Sequence, residues 1–493
     1  MKMIDILLAA LFVPAAALAQ GQRTLTLDDC RRMAVENSRQ LDMEKAAAEM
    51  AEYDKKTAVA YFFPKVSAVG GYMYNNRDVA LVNEEQSERI RNMGTTLDDK
   101  IWASAEMNAT EHGKAILETV RNAGIMPDIA TPVNAIGQEI DAALHPDLHN
   151  IMGGSIVVEQ PVFAGGKIVN SAIMASKAQE LAESKLETSR SEIITDVDHA
   201  YWQIISISNK KKLAQSYSEL LHKMEDDVMR SVDAGTGTMS DALQVKVKVN
   251  EADLLLTKAT SGLTLSKMLL CQKIGLPLDT EIILADETLD EVPDPGMVST
   301  RSMDDVLESR PELRSLDLAA QIYDRKVKIA AADMLPTVAV FGACTATNPN
   351  IYDGFQNNFR GCTLSAGVVV KVPICHGGEG IWKVKKAKAE ARQYHDRLED
   401  TRELVTLQVA RQRVIVEEAR EKLQMTRSAV DVAEENLRSA NLGYEAGVVT
   451  TSTVLGAHTA WLSANSDWID AGTELQTAMS ELRKAEGYKT VIY

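Results

Sequence analysis

The stretch from Pro161 to Gly275 recurs from Pro373 to Gly487 at a constant offset of 212 residues, with Gly235 falling on Gly447 between them. Leu41 and Pro64 recur as Leu313 and Pro336 at an offset of 272. A constant offset over more than a hundred residues requires equal-length elements in both copies, so the chain is an internal duplication. The difference between the offsets is a 60-residue insertion, confined to 76–151. Each copy turns on the same motif, Pro-x-x-x-Gly-Gly, at Pro161-Val162-Phe163-Ala164-Gly165-Gly166 and Pro373-Ile374-Cys375-His376-Gly377-Gly378. In both places the motif closes a short alternating apolar run and opens a helical pattern more than sixty residues long.

The helical pattern in the first copy runs over 167–233, with Leu213, Tyr217, Leu220, Met224 and Val228 at three- and four-residue steps. As one helix it spans roughly 100 Å. Its counterpart is expected over 381–445. The helices after the glycine turns, 240–274 and 452–486, are half as long. So are the amino-terminal helices of each copy, 28–62 and 303–335, each expected unbroken up to its proline. Two half-length helices end to end match one long one, and helices of this length need a coiled-coil-like array. The domain division that follows is a leader over 1–19, a first repeat over 20–276, an acidic linker over 277–302 and a second repeat over 303–493.

Strands are expected at about 65–75, 153–163, 337–347 and 361–373. In the last, Leu364, Ala366, Val368, Val370 and Val372 share one face, and Thr363, Ser365, Gly367 and Lys371 share the other. This is the apolar-out, polar-in dyad of a membrane barrel, at a length that can cross a bilayer. A soluble half-buried sheet shows the same alternation. The leader favours the membrane reading: Ile6 to Leu18 is apolar, and Ala17-Leu18-Ala19 forms a cleavage site for export. No other apolar run reaches the length of a membrane helix, so a closed barrel is the way left to insert. Four strands cannot close one, so several copies are required, and three would supply twelve. The net charge of −17 argues against nucleic acid as a partner.

With these features in place the chain resembles the TolC family of outer-membrane efflux proteins. The resemblance rests on Leu25-Thr26-Leu27-Asp28-Asp29 opening the first helix and on the paired Pro-x-x-x-Gly-Gly junctions. It also rests on the turns Ala234-Gly235-Thr236 and Glu445-Ala446-Gly447-Val448, followed by Ser240-Asp241-Ala242-Leu243 and Thr453-Val454-Leu455. It covers nearly all of the chain after the leader except the insertion. It implies a mostly α fold with membrane β: a homotrimer whose twelve-stranded barrel lies in outer-membrane lipid of a Gram-negative bacterium and continues as a twelve-helix periplasmic tunnel. It implies a passive duct without catalysis, metal or cofactor. An inner-membrane pump of the RND, ABC or MFS type would drive it through a periplasmic adaptor. Pro161, Gly165, Gly166, Pro373, Gly377 and Gly378 become the seam between barrel and tunnel. Gly235, Thr236, Gly447 and Val448 become the adaptor-binding tip. Asp241 and Tyr444 match two positions of the family's periplasmic latch. Where some members have a latch arginine and constriction aspartates, this chain has Val449, Thr453 and Gly456, which implies a less charged gate. The rival reading is a soluble periplasmic coiled-coil adaptor or tether, which should carry one hairpin where this chain has two.

Cys344 and Cys362 lie nine residues either side of residue 353. A symmetric hairpin places them opposite each other, and both a cross-strand disulfide and two free lipid-facing thiols stay open. His145 and His149 are too isolated for a metal site, and His376 reads as a junction residue. The insertion, polar and broken by prolines, is expected to form weak helices around 96–121 and 133–144 in a cap over the extracellular mouth.

Overall fold

A computed structural model describes residues 23–76, 80–123, 128–288, 301–350, 352–355, 361–374 and 377–488. The leader, residues 289–300 of the acidic linker, Cys375 and His376 lie outside the described residues. The first repeat contains β1 (Arg23–Leu25), α1 (Leu27–Asn37), α2 (Arg39–Ala60) and β2 (Lys65–Tyr74). The insertion follows, with α3 (Glu84–Arg91), α4 (Met93–Met107), α5 (Glu111–Asn122) and α6 (Ala130–Ala143). The repeat is completed by β3 (Asn150–Ala164), α7 (Lys167–Asp233), α8 (Met239–Ile274) and β4 (Ile282–Leu284). The second contains α9 (Met303–Ser309), α10 (Pro311–Ala332), β5 (Thr337–Asn348), β6 (Thr363–Lys371), α11 (Glu379–Glu445) and α12 (Thr451–Ala485). The two long helices, α7 and α11, have 67 residues each.

The chain divides into two units. One comprises residues up to Lys56 with Ser171–Val327 and Val384–Tyr493, and is built from helices. Thr26 starts α1 with a reciprocal capping box, its hydroxyl accepting from Asp29 N and the Asp29 carboxylate accepting from Thr26 N. Tyr201, Ile204 and Ile205 of α7 are fully buried against Cys30, Leu270, Ile274 and the short parallel pair β1–β4. The second copy repeats the theme, with Val306 and Leu313 against Leu398, Val405 and Val409. Among the described residues no helix is long and apolar enough to cross a membrane.

The amino-terminal helix of each repeat is not continuous. It breaks at Ser38 and again at Arg310, at the same offset of 272, and both residues are extended. Pro311 explains the second break, because its ring disfavours helical geometry in the residue before it. The breaks coincide with the ends of the partner helices. Asn37 Nδ2 donates to Ile274 O at the end of α8, beside left-handed Gly275. Arg310 Nη1 donates to Lys484 O and Ala485 O at the end of α12, at 3.0 and 2.9 Å. Each kink thus brings a donor to carbonyls that have no partner within their own helix. The periodicity expected unbroken helices because it tracks the apolar face, which runs through both kinks.

Two buried charges tie the helices together. The Asp198 carboxylate accepts from Arg31 Nε and Nη2 at 2.6 and 2.7 Å and from the Ser480 hydroxyl. Glu486, fully buried, accepts from Arg413 Nε and Nη2 at 2.9 and 2.6 Å.

The second unit, Thr57–Asn170 with Lys328–Lys383, holds one antiparallel sheet of order β2-β3-β5-β6. Its register puts Val66, Ile156, Cys344 and Leu364 on one face with Val158, Val340, Val368 and Val370. Ser67, Ser155, Thr345, Thr363 and Ser365 share the other face with Lys65, Glu159 and Lys371. Among the described residues β2 and β6 pair on one side only. Cys344 and Cys362 are joined in a disulfide with their Cα atoms 5.5 Å apart. The pairing is diagonal: Cys344 stands opposite Leu364, so the hairpin is centred one residue beyond the position symmetry suggested.

Replacing Asp198 with Ala leaves the Arg31 guanidinium without its main buried partner. The expected cost is about 3 kcal/mol, measured from unfolding midpoints in denaturant. A loss below about 1 kcal/mol, typical of a surface pair, would show that the site is solvated.

Candidate functional site

Two sets of residues carry the expectations for function: the strand-to-helix seams in the sheet-containing unit and the hairpin turns in the helical unit.

At the first seam β3 does not stop at Pro161. It runs on to Ala164, with a bulge that leaves Val162 without a partner directly after Pro161, the residue unable to donate. At the second seam β6 ends at Lys371, before Pro373. The glycines then behave alike. Gly165 and Gly166 have φ of +62° and +82°, and Gly377 and Gly378 have +60° and +83°. Two successive left-handed residues are a conformation that L side chains resist, which is why the motif spends two glycines. The surroundings differ between copies. A Cβ on Gly165 would lie 2.8 Å from Ala332 O and 2.9 Å from Leu335 Cβ, whereas one on Gly377 would meet nothing within 4 Å. Asn170 Nδ2 donates to Gly166 O and fastens the first turn of α7.

The hairpin turns repeat bond for bond. Gly235 N donates to Val232 O, and Thr236 N and Gly237 N donate to Ser231 O. At the offset of 212, Gly447 N donates to Tyr444 O, and Val448 N and Val449 N donate to Gly443 O. Gly235 and Gly447 have φ of +71° and +70°, the left-handed helix ending that glycine provides. Thr236 and Val448 are exposed at the two turns.

Behind each turn a threonine caps the next helix. Thr238 Oγ1 accepts from Asp241 N, and Thr450 Oγ1 accepts from Thr453 N. Asp241 is therefore not the cap of α8. It is the third residue of the helix, and its carboxylate accepts the Thr238 hydroxyl at 2.6 Å. Tyr444 packs half-buried against a cluster formed by Tyr217, Leu221, Val245, Val249 and Val454. Thr453 and Gly456 fall on the first turns of α12. Gly456 opens a groove of about 700 Å³ between α8 and α12, lined also by Gln244, Val247, Leu455 and Thr459.

Sequence reasoning passed over His458 in α12. It is 3% exposed, and its Nδ1 has no hydrogen-bond partner among the described residues. Burial pushes its imidazole down from 6.5 to about 4. Only its place on the buried face, one step from Val454 and Leu455, could have signalled it.

The two seams make a graded prediction. Gly377→Ala pays for the left-handed backbone alone, about 1–2 kcal/mol, while Gly165→Ala adds an overlap with Ala332 and Leu335 and costs more. Thermal midpoints and folded yield of the two variants check the order, and equal losses would mean that the close approach relaxes freely. His458 makes a second. It is neutral in both states above pH 6.5. As pH falls toward 4 the unfolded chain takes up a proton that the folded site refuses, so stability falls by up to about 3 kcal/mol. His458→Leu should remove that part of the acid sensitivity in melting curves recorded from pH 7 to pH 4.5.

Residues 303–488 match the family model for outer membrane efflux protein. The alkaline protease secretion protein AprF of Pseudomonas aeruginosa is 22% identical over 304 residues, 62% of this chain and 63% of that protein. The match therefore spans less than two thirds of AprF. Protein CyaE of Bordetella pertussis is 22% identical over 394 residues, 78% of this chain and 80% of its own length. Among solved structures, the outer membrane protein VceC of Vibrio cholerae superposes with a TM-score of 0.70 at 15% identity, covering 94% of this chain and 96% of that one. The duplicated seams, the repeated turns and these matches agree: the second repeat matches the outer membrane efflux protein family, and the chain shares the fold of the solved outer-membrane channel VceC.

Proposed function

We propose that this protein is the outer-membrane duct of a tripartite export system, working as a homotrimer. The observation that carries the proposal is the sheet: four antiparallel strands, apolar on one face, open at β2 and at β6, and leading through paired left-handed glycines into 67-residue helices. Three such sheets edge to edge make twelve strands, and closure satisfies the backbone groups that lipid cannot. Exposed aromatics support the placement in lipid. Tyr61, Phe62, Phe63, Phe163 and Trp382 lie by the seam end of the strands, and Tyr72 and Tyr74 toward the other end of β2. Such rings are the girdles of a membrane barrel.

The helices make the same case for several copies. Met239, Leu243, Val247, Leu254, Leu265 and Leu269 are more than half exposed along α8, as are Leu404, Leu407, Val414, Met425 and Val432 along α11. Stripes at this spacing call for a neighbouring helix. The duct is passive, an inner-membrane pump supplies the energy, and the periplasmic adaptor docks at the turns carrying Thr236 and Val448. AprF is named for secretion of a protease, which favours a polypeptide over a small molecule as cargo. The closed state is held where Asp241 and Tyr444 meet across neighbouring hairpins.

The test is electrical and chemical. Detergent-extracted outer membranes should yield a particle of three chains, and a freely soluble periplasmic protein would refute the membrane reading. In planar bilayers, Asp241→Asn combined with Tyr444→Phe should raise the open probability about tenfold or more, because a charge-assisted hydrogen bond is worth about 1.5–3 kcal/mol. An unchanged open probability would remove the latch and leave the duct. Crosslinkers placed at Thr236 and Val448 in intact cells should capture the adaptor.

A further inference from the structure

The insertion is a folded helical element. Asn134 Oδ1 accepts from Gly94 N and Thr95 N at 2.7 and 3.1 Å, locking α6 to the start of α4. A Cβ on Gly94 would overlap Ala130 O, and one on Gly137 would overlap Ile90 O, so the backbones touch at both glycines. Asp141 pairs with Arg91 and accepts from Ser87. Read in order, Ser87 meets Asp141, Ile90 meets Gly137 and Gly94 meets Asn134, so α3 and α4 run antiparallel to α6. Asn75 N donates to His149 O and Leu81 N to Leu144 O, which fastens the insertion to the end of the β2–β3 hairpin. That end is opposite the seams.

A quarter-turn from the packed line, both helices carry exposed apolar side chains. Met93, Leu97 and Ile101 on α4, and Ile129, Ile136 and Ile140 along α6, are between 38% and 53% exposed. In an antiparallel pair, positions displaced in the same rotational sense from the shared contact line face the same side. The six therefore form one apolar surface, while Glu84, Glu85, Arg89, Asp99 and Arg121 form exposed ion pairs elsewhere on the insertion.

We propose that this surface is an interface between copies of the chain: three insertions meet about the symmetry axis by their α4–α6 faces and form a helical lid on the extracellular mouth. The proposal rests on the trimeric barrel put forward above. The insertion hangs between the open edge strand β2 and β3, so closure of three sheets into one barrel places three insertions on a single rim. Residues 80–149 hold twelve acidic and five basic side chains. That excess repels the phosphates of lipid headgroups, and the attachment of the insertion beside the open edge strand β2, where the next copy joins, makes a second copy the occupant. A lone apolar face of this extent at the cell surface would otherwise stand in water.

The test uses the full chain in outer membranes, in a Cys375→Ser background. Ile136→Cys should give disulfide-linked dimers on mild oxidation, since one thiol per chain can join only two chains, and Glu85→Cys, off the apolar face, should give several-fold fewer. The mass of the detergent-extracted particle is measured alongside. Three chains with no excess linking at Ile136 overturns the lid and leaves the trimer standing. A particle that is not three chains overturns the trimer and the lid with it. Linking of Ile136→Cys only to other proteins overturns the self-interface. Ile136→Asp with Ile140→Asp gives a second readout. Single-channel conductance should rise with particle mass unchanged, and an unchanged conductance overturns the lid.

Discussion

An open sheet edge cannot remain in hydrocarbon. Each unpaired N–H or C=O there costs several kcal/mol, and β2 and β6 each present a row of them. Pairing β2 with β6 within one chain is ruled out by count, since four strands cannot curl into a barrel wide enough to hold its own side chains. The deficit must be met by other copies, and the same deficit on both edges makes the contact head-to-tail, so it closes as a ring. Much else in the structure follows. Duplication gives two hairpins per chain, and each hairpin hands over to one long helix. A strand that ends in the membrane must turn into a helix within a few residues, and two left-handed glycines accomplish that without a side chain in the way.

Helices of 67 residues pose the opposite difficulty, since their backbone is satisfied but their faces are not. Along α7 the buried positions change from Val197, Tyr201 and Ile205 to Tyr217, Leu221, Met224 and Val228. Between these clusters lie polar buried residues such as Ser206, Ser208 and Asn209. The apolar stripe is therefore rebuilt along one helix, with α8 shared by both clusters and joined by α1 in the first and by α11 and α12 in the second. Buried ion pairs sit where the partners change hands. Asp198 brings Arg31 of α1 and Ser480 of α12 to α7, and Glu486 brings Arg413 of α11 to the end of α12. Such pairs add little net stability over apolar contacts, but they penalise a slipped register, which uniform stripes alone would permit.

How much of this was legible can be judged residue by residue. The helix bounds follow from periodicity closed by Gly235 and Gly275, because a left-handed residue cannot be hidden from sequence when only glycine takes it readily. Strand faces were legible for the same kind of reason, since a period of two leaves no freedom once one strand is assigned. What escaped were features set by partners distant in sequence. The kinks at Ser38 and Arg310 answer the needs of α8 and α12, more than 170 residues away. Nothing near Asp198 or His458 tells that other helices cover them. The insertion was under-read because Pro132 was taken as a breaker, whereas it stands in the first turn of α6, where its missing N–H costs nothing.

The two halves of the duplication show which parts of the design are fixed by backbone and which are free to diverge. The turns at Gly235 and Gly447 keep the same hydrogen bonds and the same φ, although only the Ala-Gly pair is shared among the residues at their apices. The caps keep threonine at both Thr238 and Thr450. Beyond them chemistry separates. The third residue of the helix is a carboxylate in α8 and a hydroxyl in α12, and Gly456 of α12 corresponds to Gln244 of α8, the two facing one groove with different side chains. Backbone geometry tolerates little drift, because a lost left-handed glycine or cap costs about 1–2 kcal/mol at an exposed helix end. Exposed side chains one turn further in cost almost nothing to change. In the trimer proposed above, a pair of hairpins with one backbone plan and two side-chain surfaces would give six tips of two alternating kinds, and the proposed adaptor would then dock in a fixed register rather than at any of six equal places.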